Sequence, residues 1–185
     1  WNHLADEGFE FYMFDDLTAI DYISNTFGER ERKAFLKCTH PAMRCDYLRM
    51  CFILKEGGLY VDADDVLIGD GWRKLFSNPK LKVQPMCYDL HTQSMVPATK
   101  LWMSDLSISD HIFYINNDPI AAPPGHPVLE LALNRATETL LSGNSLLDIQ
   151  STTGPGNFTA AFAAHARYLE LNDLPVDFEL LKDWE

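Results

Sequence analysis

The chain has 185 residues, 46% hydrophobic and 12% aromatic. That is the make-up of an ordinary globular protein, with a length that favours one domain. Its formal net charge of −12 argues against a nucleic-acid partner, because polyanion binding relies on clustered Lys and Arg. No apolar run reaches the roughly 18 residues of a membrane span, and nothing after Trp1 reads as a signal peptide.

In chain order, Phe9-Glu10-Phe11-Tyr12-Met13-Phe14 predicts a strand that ends on Asp15-Asp16. Those two carboxylates either face a site or cap the helix that follows. Leu17, Ile20, Ile23 and Phe27 recur at helical spacing and predict a helix over 17–27. The segment GERERK, residues 28–33, reads as a solvated charged turn. Cys38, Cys45, Cys51 and Cys87 match no CxxC pattern. Cys45 and Cys51 are expected to be small buried hydrophobes in a reduced, cytoplasmic chain.

Residues 41–65, PAMRCDYLRMCFILKEGGLYVDADD, are the most informative stretch. Pro41 suits a first helical turn, where its missing N–H has no partner to lose. Apolar residues from Met43 to Leu54 cover nearly the whole circumference, so a buried helix is expected. Arg44, Asp46 and Arg49 sit within it, and buried charge needs partners. Asp46 and Arg49, three apart, share a face. Gly57-Gly58 stops the helix, and Leu59-Tyr60-Val61 reads as a short buried strand. On an extended continuation, Asp62 and Asp64 point the same way and aim two carboxylates at one place. Paired hard oxygen donors at a strand end suit Mg or Mn with positions left open for phosphate.

The spaced set Arg44-x-Asp46-x-x-Arg49, Leu54, Gly57-Gly58-x-Tyr60-x-Asp62-x-Asp64 resembles the signature of DXD-motif glycosyltransferases. The closest group is the family 32-like enzymes, which are also similar to the catalytic core of large clostridial glucosylating toxins. The resemblance implies an α/β, GT-A-like nucleotide-sugar-binding domain with a central mixed sheet flanked by helices. It also implies retaining transfer of a hexose from UDP or GDP to a saccharide, glycolipid or protein acceptor. By the same resemblance Asp62 and Asp64 hold Mn or Mg, and Asp62 also contacts the donor. Asp46 and Arg49 act at the donor sugar and diphosphate, with Arg44, Gly58, Tyr60 and Gly154 completing the donor site. In the family a strand that cradles the nucleobase precedes the segment resembling residues 1–16. A further segment bearing a His and a Trp often follows the last strand. Residues 1–185 are therefore expected to be a single catalytic domain lacking that first strand and that C-terminal segment, of which only Trp184 is present.

Beyond the motif, Val66-Leu67-Ile68 leads through Gly69-Asp70-Gly71 to Trp72. An EF-hand is excluded, because Leu67 and Arg73 fall where glycine and glutamate are required. Short β-like runs between 81 and 115, notably His111-Ile112-Phe113-Tyr114-Ile115, are expected to complete the sheet and to end on Asn116-Asn117-Asp118. His126, between Gly125 and Pro127, reads as a cap for a helix over 127–141 rather than a metal ligand. Residues 151–157 read as a polar loop before a helix from Phe158 to Tyr168. Its Thr153-Gly154-Pro155 step resembles one near the family's active centre. The sequon at Asn157 is not expected to be used, and residues 176–181 predict a last strand. Two other readings stay open for Asp62 and Asp64: the nucleophile and acid of a haloacid-dehalogenase-like phosphohydrolase, or part of an inactive sugar- or nucleotide-binding domain.

Overall fold

The computed structural model describes residues 1–99, 108–143 and 148–181, with the backbone alone at Asn2, His3 and Ile108; Trp184 lies outside these. The described residues hold six α-helices: α1 (Asp16–Thr26), α2 (Glu29–Leu36), α3 (Pro41–Glu56), α4 (Pro127–Leu141), the single-turn α5 (Ile149–Thr152) and α6 (Pro155–Leu171). The strands are β1 (Gly58–Tyr60), β2 (Leu81–Val83), β3 (Pro85–Asp89), β4 (Ser94–Val96), β5 (His111–Ile115), β6 (Ile120–Ala122) and β7 (Phe178–Leu180). They form a four-stranded sheet in the order β1-β6-β2-β7 and a three-stranded sheet in the order β4-β3-β5.

The first sheet is mixed, since β6 runs antiparallel to β1 and β2 while β7 is parallel to β2. That matches the expected central mixed sheet flanked by helices. The run 111–115 differs from expectation: it builds the second, antiparallel sheet by pairing with β3. One bend explains this. Only Gln84 separates β2 from β3, and its carbonyl accepts the Asn116 N–H at 2.8 Å, so two successive strand pairs turn together from one sheet into the other.

The main core lies between α1–α4, α6 and the first sheet, around Ile23, Phe35, Tyr47, Met50, Ile53 and Phe158. Full burial of each such side chain contributes about 1.5–3 kcal/mol. Tyr47 keeps its hydroxyl satisfied in that core by a 2.6 Å hydrogen bond with Thr137 Oγ1, since an unpaired buried hydroxyl is costly. Lys82, inside the sheet, is likewise held by Asn78 Oδ1 at 2.6 Å and Glu179 at 3.6 Å.

Three local expectations are corrected. Residues 9–14 form no strand: no described strand pairs with them, and rings anchor the segment instead. Phe9 packs edge-on to Trp72, and Phe14 meets Tyr22 and Phe52. Residues 28–33 are not a turn, because Gly28 at φ 99° breaks the chain direction and α2 starts at Glu29. Glu29 and Glu31 in the first turn and Lys33 in the last suit the helix dipole, while Ala34 and Phe35 anchor it in the core. The polar loop 151–157 is mostly helical, with α5 ending at Thr152 and α6 starting at Pro155. The other helices follow their sequence cues. Asp15 forms a capping box with Thr18, and His126 caps α4 through Nδ1. None of the four cysteines is in a disulfide, and Cys45 is exposed rather than buried, because α3 turns that position outward.

Candidate functional site

The candidate site gathers where α3, the end of β1, the link from β5 to β6 and the α5–α6 junction meet. Helix α3 runs unbroken from Pro41, so Asp46 and Arg49 project from one face, and both are about 95% buried. At the helix end, Gly57 (φ 71°) and Gly58 (φ 97°) turn the chain sharply. A Cβ on Gly57 would lie 2.7 Å from Pro124 Cδ and 2.8 Å from Pro124 N, so only glycine lets β1 leave the helix this closely. Tyr60 and Asp62 then arrive above Arg49.

The Arg49 guanidinium is the hub. Nη1 donates to the Asn117 carbonyl at 2.6 Å, and Nη2 donates to Asp62 Oδ1 at 3.1 Å and pairs with Asp46 Oδ1 at 3.4 Å. Cζ sits 4.2 Å over the Tyr60 ring, a cation–π contact. Its Nε is buried, with no hydrogen-bond partner among the described residues. One buried cation thus holds two carboxylates, the buried Asp46 and the half-exposed Asp62, and gives Asp46 the partner that a buried charge requires.

Each carboxylate has further partners. Asp46 Oδ1 accepts from Asn117 Nδ2 at 2.8 Å and Oδ2 from Thr153 Oγ1 at 3.3 Å. Burial raises the Asp46 pKa, while Arg49, Asn117 and Thr153 oppose the rise. Asp62 Oδ1 also accepts from the Tyr60 hydroxyl at 2.7 Å, and its backbone N–H donates to Asp118 Oδ1 at 3.0 Å. Burial, then the neighbouring Asp62 charge, pushes the Asp118 carboxyl up to about 7.

The structure therefore brings Asp46, Arg49, Tyr60 and Asp62 together, with Gly154 beside them: a Cβ there would stand 3.4 Å from Asp46 Oδ2. Three expected site residues lie apart. Arg44 turns outward, where it pairs with Asp16 and donates to the Cys38 carbonyl. Gly58 lines a cavity of about 540 Å³ with Leu75, Phe76, Pro79 and Pro124, at the end of β1 away from Asp62. Asp64 is exposed. The extended continuation expected for Asp62 and Asp64 is also absent. Asp65 N–H bonds back to Asp62 O at 3.1 Å, so residues 62–65 form a turn and the strand alternation does not apply.

The donor set nonetheless suits a hard divalent ion. Asp62 Oδ2 and the Asp64 carboxylate accept no hydrogen bond among the described residues, so their oxygens are uncommitted and of the hard kind such an ion takes. Asn117, Asp118 and Thr153 were missed as partners of this cluster. The polar end of the 111–115 run and the Thr-Gly-Pro step flagged their neighbourhoods, but nothing local linked them to Asp46 or Asp62.

Residues 7–79 match the family described as glycosyltransferase sugar-binding region containing DXD motif. A solved structure titled PaToxG Glycosyltransferase is similar in fold, with a TM-score of 0.54 at 19% sequence identity. The likeness covers 82% of this chain and 46% of that one, so the chain spans about half the length of that relative. No curated protein matches the chain. The resemblance read from residues 44–64 is thus supported in sequence over residues 7–79 and in fold over most of the chain.

Proposed function

We propose that the chain transfers a hexose from a UDP- or GDP-sugar to a saccharide, glycolipid or protein acceptor, with retention and with a bound Mn or Mg, in polysaccharide assembly or a related path. The observation that carries this reading is the buried Arg49 holding Asp46 and Asp62 together beside the Thr153–Gly154 step, within the stretch that matches a DXD sugar-binding region. Sugar transfer is favoured over the phosphohydrolase reading by that match and by the fold likeness. Turnover separates it from an inactive binding domain.

In this reading Asp62 and Asp64 would hold the ion, which would supply Lewis-acid stabilisation to a leaving diphosphate. The remaining roles belong to the chain's own groups. Arg49 is fixed in position by the Asn117 carbonyl and the Tyr60 ring, so it presents positive charge without reorganising as negative charge develops nearby. Asp46, kept in one orientation by Asn117 and Thr153, accepts hydrogen bonds from donor-sugar hydroxyls. Tyr60 fixes the rotamer of Asp62 by occupying Oδ1, which leaves Oδ2 directed elsewhere.

The test is calorimetric titration of UDP and of GDP, with and without Mn, into wild type and Asp64→Ala. Mn-dependent binding that Asp64→Ala abolishes is expected, and the preferred nucleotide narrows the donor. Binding of neither nucleotide under any condition would overturn the reading for this chain.

A further inference from the structure

We propose that His126, His165 and Asp177 form a second metal site, for a single zinc-class ion, which staples β7 to the helices packed behind it. The three side chains come from distant points: His126 caps the start of α4, His165 lies within α6, and Asp177 directly precedes β7. One ligand atom from each lies within 4.8 Å of the other two. Among the described residues no other trio of His, Cys, Asp or Glu does this. The site is separate from the Asp62 cluster, since β1 and β7 are opposite edges of the same sheet.

The geometry is close to what an ion needs. His165 Nε2 stands 2.9 Å from both Asp177 carboxylate oxygens, and His126 Nε2 stands 3.7 Å from Oδ1. Tetrahedral zinc with bonds of about 2.0–2.1 Å separates its ligands by about 3.3 Å, between those two values. Both imidazoles are at least 95% buried, whereas the Asp177 side chain is 36% exposed. Solvent can therefore deliver the ion and supply a fourth ligand. Two imidazole nitrogens and one carboxylate favour zinc over Mg, in contrast to the all-oxygen donors of Asp62 and Asp64.

Without an ion the trio is hydrogen-bonded. His126 Nδ1 accepts the Val128 N–H at 3.3 Å, which puts its proton on Nε2, 3.3 Å from the Asp177 carbonyl. His165 Nε2 donates to the carboxylate. On binding, each Nε2 lone pair goes to the ion and each proton shifts to Nδ1, with no net proton change. The exchange gives up the two 3.3 Å bonds at His126, including the Val128 N–H that it caps, and replaces the 2.9 Å bonds from His165 to Asp177 by coordination. The Asp177 carbonyl keeps its 3.0 Å bond from the Leu81 N–H, so the entry to β7 stays in register.

The experiment uses the full chain carrying Asp62→Asn and Asp64→Asn, stripped with chelator and titrated with Co(II) and then Zn(II). One equivalent of Co(II) is expected to give visible d–d absorption that zinc abolishes, and zinc is expected to raise the unfolding temperature. His165→Gln removes both signals. Should that variant not fold, Asp177→Asn, which keeps a carbonyl acceptor for His165, is expected to lose affinity by more than the about 10–100-fold typical of an outer-shell change. Absence of both signals in the parent overturns the proposal and leaves a hydrogen-bonded latch. Persistence of the absorption in the ligand variants overturns it equally.

Discussion

Arg44 and Arg49 stand on the same helix, and chemistry separates them. Arg49 is 5% exposed, bonded to a carbonyl, two carboxylates and a ring face. Arg44 is 37% exposed at its side chain and reaches Asp16 at the surface. The comparison teaches that a charge within a motif gains its role from what is folded over it. Arg49 lies under β1 and the β5–β6 link, whereas Arg44 faces the solvent side of α1. A buried cation with two acids is costly to dismantle, while an exposed pair contributes little.

Substitution of each arginine tests that contrast directly, and the largest effect is expected at Arg49. Arg49→Ala leaves Asp46 buried with no neutralising partner and should destabilise the chain by about 3–5 kcal/mol, read by urea unfolding. It should also abolish Mn-dependent nucleotide binding. Retention of both would mean the cluster is not organised by this guanidinium. Gly57→Ala comes next. Its positive φ and the contact with Pro124 backbone should cost about 1–3 kcal/mol and displace Asp62 from Arg49. Nucleotide affinity should then fall with stability, which calorimetry on the folded fraction can check.

Asn117→Ala should be milder for stability, about 1–2 kcal/mol, because Arg49 still pairs with Asp46 and the Asn117 carbonyl remains. Its effect should fall mainly on donor-sugar recognition, seen as weaker binding of the nucleotide-sugar with nucleotide affinity unchanged. Arg44→Ala closes the series, with about 0.5 kcal/mol expected and nucleotide binding intact. A large loss of binding there would place Arg44 in the site after all. Cysteine labelling sharpens the outward reading of the same helix face. Cys45 alone should react rapidly in the native chain, and faster as pH rises. Cys38 stays neutral and shielded, its thiol pushed up to about 12 by burial.

Local rules were legible wherever a residue's fate depends on its neighbours along the chain. The apolar circumference of α3, the glycine stop, the prolines opening α3 and α4 and the final strand before Leu181 all follow from spacing and backbone preference. The same rules failed where partners come from elsewhere. Residues 9–14 are rich in strand-forming aromatic residues yet meet rings rather than a pairing strand. Residues 28–33 look like a solvated turn until Phe35 finds the core.

For the candidate site the division is equally physical. By itself the sequence determined which groups the chain carries: the buried acid–arginine pair on one helix face and the carboxylates that follow the glycines. Tertiary structure alone decided which of those groups meet. Asp46 finds Asn117 and Thr153 across separations of 71 and 107 residues, while Arg44 on the same helix pairs with Asp16 instead. The trio of His126, His165 and Asp177 likewise exists only once α4, α6 and β7 are packed. Spacing encodes periodicity over a few turns, whereas convergence across the sheet depends on the packed helices and strands that carry each group there.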